Sequence, residues 1–176
     1  TLMDEYPEIV NFTRCLQVGT LYFKVGDHEF KEDSLLFADS TFFDLFTHRF
    51  IYGNASISLT RPNTMIVTES FSLKYFGAGN PVGKTLTDTD NNIYEVRGVI
   101  QDLPSKLHLK FNGLISAATI AERIGVDRFN DRSAGSFWNI GVYSYVLLGE
   151  NSNFQDVIDK FPGFYEKYMK EIGDQI

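Results

Sequence analysis

The sequence predicts an α+β domain built from antiparallel hairpins and short helices. Hydrophobic residues make up 43% of the 176 residues, which is enough to bury a core. Several short runs alternate apolar and polar residues with a period of two, a pattern typical of strands. Glycine, asparagine or proline separates these runs from segments with helical spacing, so strands and short helices follow one another along the chain.

The first predicted unit is a β-hairpin. Residues 6–10 form a short helical or extended lead-in, and residues 20–25 alternate as a strand does. Gly26 and Asp27 separate this strand from residues 28–31. Because glycine readily takes the positive φ that a two-residue hairpin turn needs, a hairpin is predicted here.

A strand followed by a short helix comes next. Residues 34–38 form an apolar run, and either Asp39 or Ser40 can cap a helix over residues 41–46. A turn is predicted at residues 52–54.

The following unit repeats that order. The β-branched run 64–67 is a predicted strand, and Glu69–Phe76 is a predicted helix. Thr68 is placed to cap this helix, and Gly77 to end it in a left-handed conformation.

Residues 85–87 and 93–100 are predicted as an antiparallel pair joined by a polar turn over residues 88–92. The alternation at residues 108–111 leads toward 113–115. Ser116 is placed to cap a helix that carries Ile120 and Ile124 and ends before Gly125.

The last third of the chain contains a predicted mobile loop or inserted lobe at residues 126–139, which are charged and carry Gly and Ser. Residues 141–148 form a strand, and residues 151–153 cap an amphipathic helix that Pro162 and Gly163 break. The predicted division is therefore 1–116, the first part of the domain, 117–140, the inserted loop or second-lobe segment, and 141–176, the closing strand and helix.

Composition excludes several classes of protein. The net charge of −7 and a pI near 4.9 argue against nucleic-acid binding, which needs a basic surface. The single cysteine, Cys15, excludes an internal disulfide. No apolar run is long enough for a membrane helix, and the start lacks the features of a signal peptide. Because the sequence begins on Thr1 and not on Met, and stops after Ile176, we expect it to be an excised piece of a longer protein.

Two segments resemble ligand-binding loops only in part. Residues 77–85 end in Gly-Lys-Thr, but a phosphate-binding loop would have its first glycine where Ala78 stands, and would precede a helix and not a strand. Residues 88–92 begin like a calcium loop, but Ile93 occupies the position of the required glycine and Val99 that of the bidentate glutamate. Turns are predicted at both places.

No catalytic, cofactor-binding or metal-binding residue is predicted. His28, His48 and His108 are far apart in the sequence and form no metal-binding pair. Cys15 with His108 lacks any local signature of a nucleophilic pair. The aromatic residues have core spacing, although an aromatic surplus also marks contact surfaces. The candidate for such a surface is the stripe of Tyr165, Tyr168, Met169 and Ile172.

An ordered series of residues carries a family resemblance. It begins with Ala38-Asp39, Phe42-Phe43 and Gly53, continues as Lys-Tyr-Phe-Gly at 74–77 and Pro-Val-Gly-Lys at 81–84, and ends with Val-Arg-Gly-Val-Ile-Gln-Asp-Leu-Pro at 96–104, His108 and Phe111. Over roughly residues 6–116 the chain resembles the MacB-like periplasmic core domain of ABC transporter permeases of the MacB/FtsX type.

This resemblance implies a two-lobed, non-catalytic α+β domain on the periplasmic side of a bacterial inner membrane, inserted between two membrane helices. It implies a cytoplasmic ABC ATPase and a second permease copy, identical or different, as partners, and a periplasmic adaptor protein is a further candidate. The implied function is to relay ATP-driven movement to substrates or partner proteins outside the membrane. Two alternatives stay open at this point, a free-standing secreted module that binds peptides or lipids, and a soluble enzyme with a scattered site.

Overall fold

In the computed structural model of the chain, residues 2–131 and 141–175 are described, and their ten strands form one sheet. The strands are β1 (Ile9–Gln17), β2 (Leu21–Val25), β3 (His28–Glu32), β4 (Leu35–Ala38), β5 (Phe50–Gly53), β6 (Thr64–Thr68), β7 (Thr85–Asp88), β8 (Ile93–Ile100), β9 (Gly113–Ser116) and β10 (Val142–Leu148). The helices are α1 (Leu2–Glu5), α2 (Phe42–Leu45), α3 (Glu69–Phe76), α4 (Ala118–Ile124), α5 (Val126–Phe129), α6 (Phe154–Tyr168) and α7 (Lys170–Gly173), with one 3₁₀ turn at Ala55–Ile57.

The sheet is mostly antiparallel. Its strand order is β10, β1, β4, β9, β6, β8, β7, β2, β3, and β5 pairs with the C-terminal half of β8. The pairs β4 with β9 and β6 with β8 are parallel, and the other neighbours are antiparallel. This mixture of a large sheet with several short helices confirms the predicted α+β class.

The centre of the sheet is buried on both faces. Every residue of β4, β6 and β9 is buried, which explains why these strands have runs of apolar residues in place of alternation. On β4, Leu35 and Phe37 join a core cluster under α3, whereas Leu36 and Ala38 join a second cluster under α2. The side chains of one strand therefore hold both helices.

Local signals located the hairpin and α3 correctly. Val25 pairs with His28 across a turn in which Gly26 has a φ of 59°. At the start of α3 the hydroxyl of Thr68 accepts a hydrogen bond from the backbone N–H of Phe71, and at its end Gly77 has a φ of 70°. The predictions for these turns and caps are confirmed.

Three predictions of local structure were incomplete or wrong. The lead-in is followed by the nine-residue strand β1, which the sequence did not predict because its polar residues interrupt the apolar pattern. The turn predicted at residues 52–54 overlaps the end of β5, where Gly53 pairs with Gly98. The alternation at residues 108–111, which is typical of a strand, belongs to an irregular segment, in which Phe111 joins the cluster under α2 and Leu109 packs against it.

The C-terminal helix also differs from its prediction. Pro162 does not break it. The helix α6 runs without interruption through Pro162 to Tyr168. Its buried residues Val157 and Phe164 pack with Tyr6 and Ile9 in a third core cluster, and this packing outweighs the loss of one backbone hydrogen bond at proline.

The segment predicted as a mobile loop begins with a short helix, α5, and residues 132–139 of that prediction lie outside the described residues. β10 pairs with β1 and so adds the last part of the chain to the edge of the sheet. The division of the chain at residues 116 and 140 remains a prediction.

Candidate functional site

An apolar pocket of about 210 Å³ lies between α2 and the segment 101–112. Its position follows from two backbone attachments. The hydroxyl of Thr41 donates to the carbonyl oxygen of Phe12, 2.6 Å away, which holds the start of α2 on β1. The backbone N–H of Gln101 donates to the carbonyl oxygen of Arg49. The pocket is lined by Phe42, Leu45, Phe46, Thr47, His48, Leu107, His108, Leu109 and Phe111.

Aromatic rings form the floor of the pocket. Phe42 is fully buried and Phe111 nearly so, and their rings meet edge to face with centroids 5.8 Å apart. The imidazole of His48 stacks on Phe42 at 5.7 Å with an interplanar angle of 16°. Burial lowers the pKa of His48, which favours its neutral form at pH 7.

The mouth of the pocket is open to solvent. Thr47, Leu107 and His108 are exposed there. The Nε2 atom of His108 lies 3.0 Å from the hydroxyl of Tyr145, and the ring of Tyr145 packs edge to face on Phe46 at 5.0 Å. Hydrogen-bonding groups therefore lie at the entrance, above an apolar floor.

The structure brings two of the three histidines to this pocket and leaves the third apart. His48 and His108 both line it, whereas His28 lies on β3 at the edge of the sheet. Within residues 2–131 and 141–175 no group of three His, Cys, Asp or Glu side chains could hold a metal ion.

The environment of Cys15 does not activate its thiol. Cys15 is fully buried in the cluster under α2, and burial together with nearby Asp39 raises its pKa to about 12. A thiol with such a pKa stays protonated at neutral pH and is a poor nucleophile. His108, the residue considered as a partner for Cys15, lies within hydrogen-bond distance of the Tyr145 hydroxyl.

The glycine-rich segment 77–85 joins α3 to β7, as predicted. The backbone N–H of Gly83 donates to the carbonyl oxygen of Val96 at 2.8 Å, and that of Val96 donates to the carbonyl oxygen of Lys84 at 2.9 Å. These bonds attach the segment to β8. The segment leads into the strand β7 and not into a helix, so it does not provide the helix N-terminus that holds phosphate.

The acidic segment 88–92 is a turn, as predicted. One carboxylate oxygen of Asp88 accepts from the backbone N–H groups of Asp90 and Asn92, and the other accepts from the Asn92 amide and the hydroxyl of Tyr94. Asp88 is 1% exposed. Its hydrogen bonds stabilise the turn between β7 and β8.

Glu32 is the centre of a buried polar cluster that sequence reasoning missed. Its side chain is 4% exposed and accepts hydrogen bonds from Lys74 Nζ at 2.5 Å and from the Tyr75 hydroxyl at 2.8 Å, while the Asn112 amide lies 3.4 Å away. The cluster ties β3 to α3 and to the start of β9. No local pattern marks it, because Glu32 lies 42 residues from Lys74, 43 from Tyr75 and 80 from Asn112.

Asp102 links the other end of α3 to the segment after β8. One of its carboxylate oxygens accepts from the backbone N–H of Ser70 at 2.9 Å, and the other from the Ser70 hydroxyl at 2.5 Å. A carboxylate at a helix N-terminus also interacts favourably with the helix dipole. Residues of two of the resemblance motifs, 74–77 and 96–104, therefore position α3 on the sheet.

Exposed apolar residues lie along α6, and they differ from the stripe that the sequence suggested. Phe154, Ile158 and Phe161 are 66%, 38% and 40% exposed and follow one another at helical spacing. Tyr168 and Met169, members of the suggested stripe, pack against the third core cluster. In the part of the chain that the structure describes, no helix is both long and apolar enough to cross a membrane.

The fold is similar to that of a permease domain, of the periplasmic region of MacB and of the extracellular domain of the ABC-type transporter YknZ. The structure is similar to a domain described as part of a permease from Porphyromonas gingivalis, with a TM-score of 0.74 and 20% identity over 96% of this chain and 74% of that chain. It is also similar to the periplasmic region of MacB from Actinobacillus actinomycetemcomitans, with a TM-score of 0.66 and 16% identity over 94% and 70% of the two chains.

A third similar structure is the extracellular domain of the ABC-type transporter YknZ from Gram-positive bacteria, with a TM-score of 0.58 and 14% identity over 85% of this chain and 71% of that chain. No family model and no curated protein matches the sequence itself. At these identities the likeness establishes the fold.

Proposed function

We propose that this chain is the non-catalytic extracytoplasmic domain of an ABC transporter permease, and that it relays ATP-driven movement of membrane helices to substrates or partner proteins outside the inner membrane. The observation that carries the proposal is the likeness of 96% of the chain to a permease domain with a TM-score of 0.74. The proposed partners are a cytoplasmic ABC ATPase, a second permease copy and a periplasmic adaptor protein.

The packing of the N-terminal segment supports a relay. Tyr6 contacts the rings of Phe161 and Phe164 on α6 with centroids about 6 Å apart, and its hydroxyl donates to the carbonyl oxygen of Lys160. Lys167 pairs with Glu5 at 2.6 Å. A displacement of α1 is thereby passed to α6, and through β1 to the sheet.

The rigidity of the sheet also supports a relay. A domain that transmits movement must move as a body, and close-packed interiors resist deformation. The central strands are buried on both faces, and the Glu32 cluster and Asp102 attach α3 at both of its ends.

The alternative of a free-standing module that binds peptides or lipids is less well supported. Sites for drug-sized ligands have volumes of about 300–1,000 Å³, and the pocket beside α2 holds about 210 Å³. That volume suits neither an extended peptide nor a whole acyl chain.

Location is tested by labelling a single engineered cysteine in the full-length protein in cells. Cys15 is fully buried and is not expected to react, and any cysteine of the full-length protein outside these 176 residues is replaced by serine. We expect Leu73→Cys, at a side chain that is 61% exposed, to react with a membrane-impermeant maleimide in cells whose outer membrane alone has been opened. The unsubstituted protein is the matched control. Labelling of Leu73→Cys only after the inner membrane is lysed would contradict the proposed location.

The relay is tested by distances between spin labels in the purified permease with its ATPase. Labels at Leu73 and Phe154, both exposed, are expected to keep their distance within one domain when a non-hydrolysable ATP analogue binds. The distance between the Leu73 labels of two copies is expected to change. If ATP leaves the distance between copies unaltered, the relay is refuted while the fold and location stand.

A further inference from the structure

We propose that the pocket between α2 and the segment 101–112 binds a small, neutral compound that carries an aromatic ring. The size of the pocket supports this class of ligand. An apolar cavity of about 150 Å³ in another protein binds benzene, and this pocket holds about 210 Å³. A compound of one or two fused rings fits such a volume.

The lining favours a neutral ligand. None of the nine described residues that line the pocket is Asp, Glu, Lys or Arg. Its most deeply placed titratable group, His48, has a pKa lowered by burial and is neutral at pH 7. A charged ligand would lose its hydration without gaining a charged partner, which is strongly unfavourable.

The geometry of the rings favours an aromatic ligand. Phe42 already stacks with His48 and meets Phe111 edge to face, so aromatic rings in offset and edge-on contact surround the pocket. Aromatic pairs in offset or edge-to-face arrangements are stabilised beyond what the area that they bury provides. At the entrance, Thr47 and His108 offer hydrogen bonds to one polar group of the ligand.

The test uses the 176-residue chain labelled with ¹⁵N and titrated with indole, followed by two-dimensional NMR. We expect saturable shifts concentrated in residues 42–48 and 107–111, with a Kd on the order of 1 mM or tighter, as ordinary ligand efficiencies allow for a nine-atom compound. Because only the isolated chain and indole are present, the result does not depend on the proposed transport function.

Filling the mouth of the pocket supplies the matched variants. Leu107 is 40% exposed at the entrance, and Leu73 is 61% exposed on α3. Leu107→Trp should weaken indole binding roughly tenfold or more, because the larger ring occupies the entrance. Leu73→Trp adds the same ring elsewhere and should leave the affinity unchanged. Thr47→Trp provides a second plug, and the NMR spectrum of each variant reports whether it is folded.

The second comparison is between neutral indole and two charged analogues. Indole-3-carboxylate and tryptamine have the ring of indole with a negative or a positive group, and each should bind about tenfold or more weakly. The proposal is overturned if the charged compounds bind as well as indole, if both plugs leave binding unchanged, or if the shifts lie outside the pocket. It is also overturned if a blocked phenylalanine tripeptide binds and indole does not, since that result assigns the pocket to a protein partner.

Discussion

The close approach of β5 to β8 makes a sharp prediction about two glycines that both have a positive φ. Gly53 has a φ of +77° and Gly19 a φ of +81°. A Cβ atom at Gly53 would lie 2.4 Å from the carbonyl oxygen of Arg97 and 2.9 Å from the Cα atom of Gly98, whereas one at Gly19 would have no atom within 4 Å. Substitution by alanine therefore separates the effect of backbone strain from that of collision.

The magnitudes follow from these two effects. Both substitutions place alanine in the left-handed region, which costs about 1–2 kcal/mol. Gly53→Ala also forces apart backbone atoms that the β5–β8 pairing holds together, and such overpacking costs a further 1–3 kcal/mol or so. Loss of unfolded-chain freedom acts equally on both variants. We expect Gly53→Ala to lower the free energy of unfolding by about 2–5 kcal/mol and Gly19→Ala by about 1–2 kcal/mol.

The measurement is urea unfolding of the two variants and the parent chain, monitored by circular dichroism. Equal m-values would show that the difference in midpoint reports stability and not a change in the unfolded ensemble. If the two substitutions lower stability equally, the collision with the Arg97–Gly98 backbone does not exist and the account of the β5–β8 contact is refuted.

Three further predictions concern buried groups. Cys15, whose pKa is raised to about 12 by burial and by Asp39, should resist iodoacetamide in the folded chain at pH 8 and react in urea; mass spectrometry checks this, and rapid modification of the folded chain would contradict it. Tyr75→Phe removes a hydroxyl that donates to buried Glu32 and should cost about 1–2 kcal/mol in urea unfolding, whereas the control Tyr22→Phe, at a ring that is 42% exposed, should cost less than about 0.5 kcal/mol. Because burial lowers the folded-state pKa of His48 from 6.5, unfolding promotes its protonation, so its contribution to stability is complete above pH 6.5 and is lost as the pH falls toward the folded pKa. Unfolding midpoints at pH 7.5 and 5.5 should therefore differ less for His48→Gln than for the parent, and an equal difference would exclude His48 as a source of the pH dependence.

Local signals located the hairpin and the caps because those features depend on a few neighbouring residues. Gly26 allows a two-residue turn whatever lies elsewhere, and Thr68 caps α3 from the adjacent position. The same reasoning failed at β1, where pairing with β4 and β10 decides the structure. It failed at Pro162 because packing of α6 on Tyr6 and Ile9 outweighs a local helix breaker.

The candidate site could not be predicted from the sequence for the same reason, namely that it depends on contacts between distant parts of the chain. His48 and His108 meet at one pocket only because α2 and the segment 101–112 lie over the same core cluster. Their separation of sixty residues carries no signal of this meeting. No sequence pattern indicates the Glu32 cluster either, because its carboxylate, the Lys74 ammonium and the Asn112 amide come from three separate parts of the chain.

The residues that carry the family resemblance turn out to hold the framework together. Gly53 and Gly98 allow β5 to approach β8, Lys74 and Tyr75 attach α3 to Glu32, and Asp102 bonds to the start of the same helix. These contacts attach α3 and β5 to the sheet. Other residues of the resemblance series, Phe42, His108 and Phe111, line the pocket beside α2, together with residues outside the series such as Leu45, Thr47 and Leu107. A protein that keeps the resemblance series but differs at Leu45, Thr47 and Leu107 is therefore expected to share this fold and, under the proposal for the pocket, to bind a different compound.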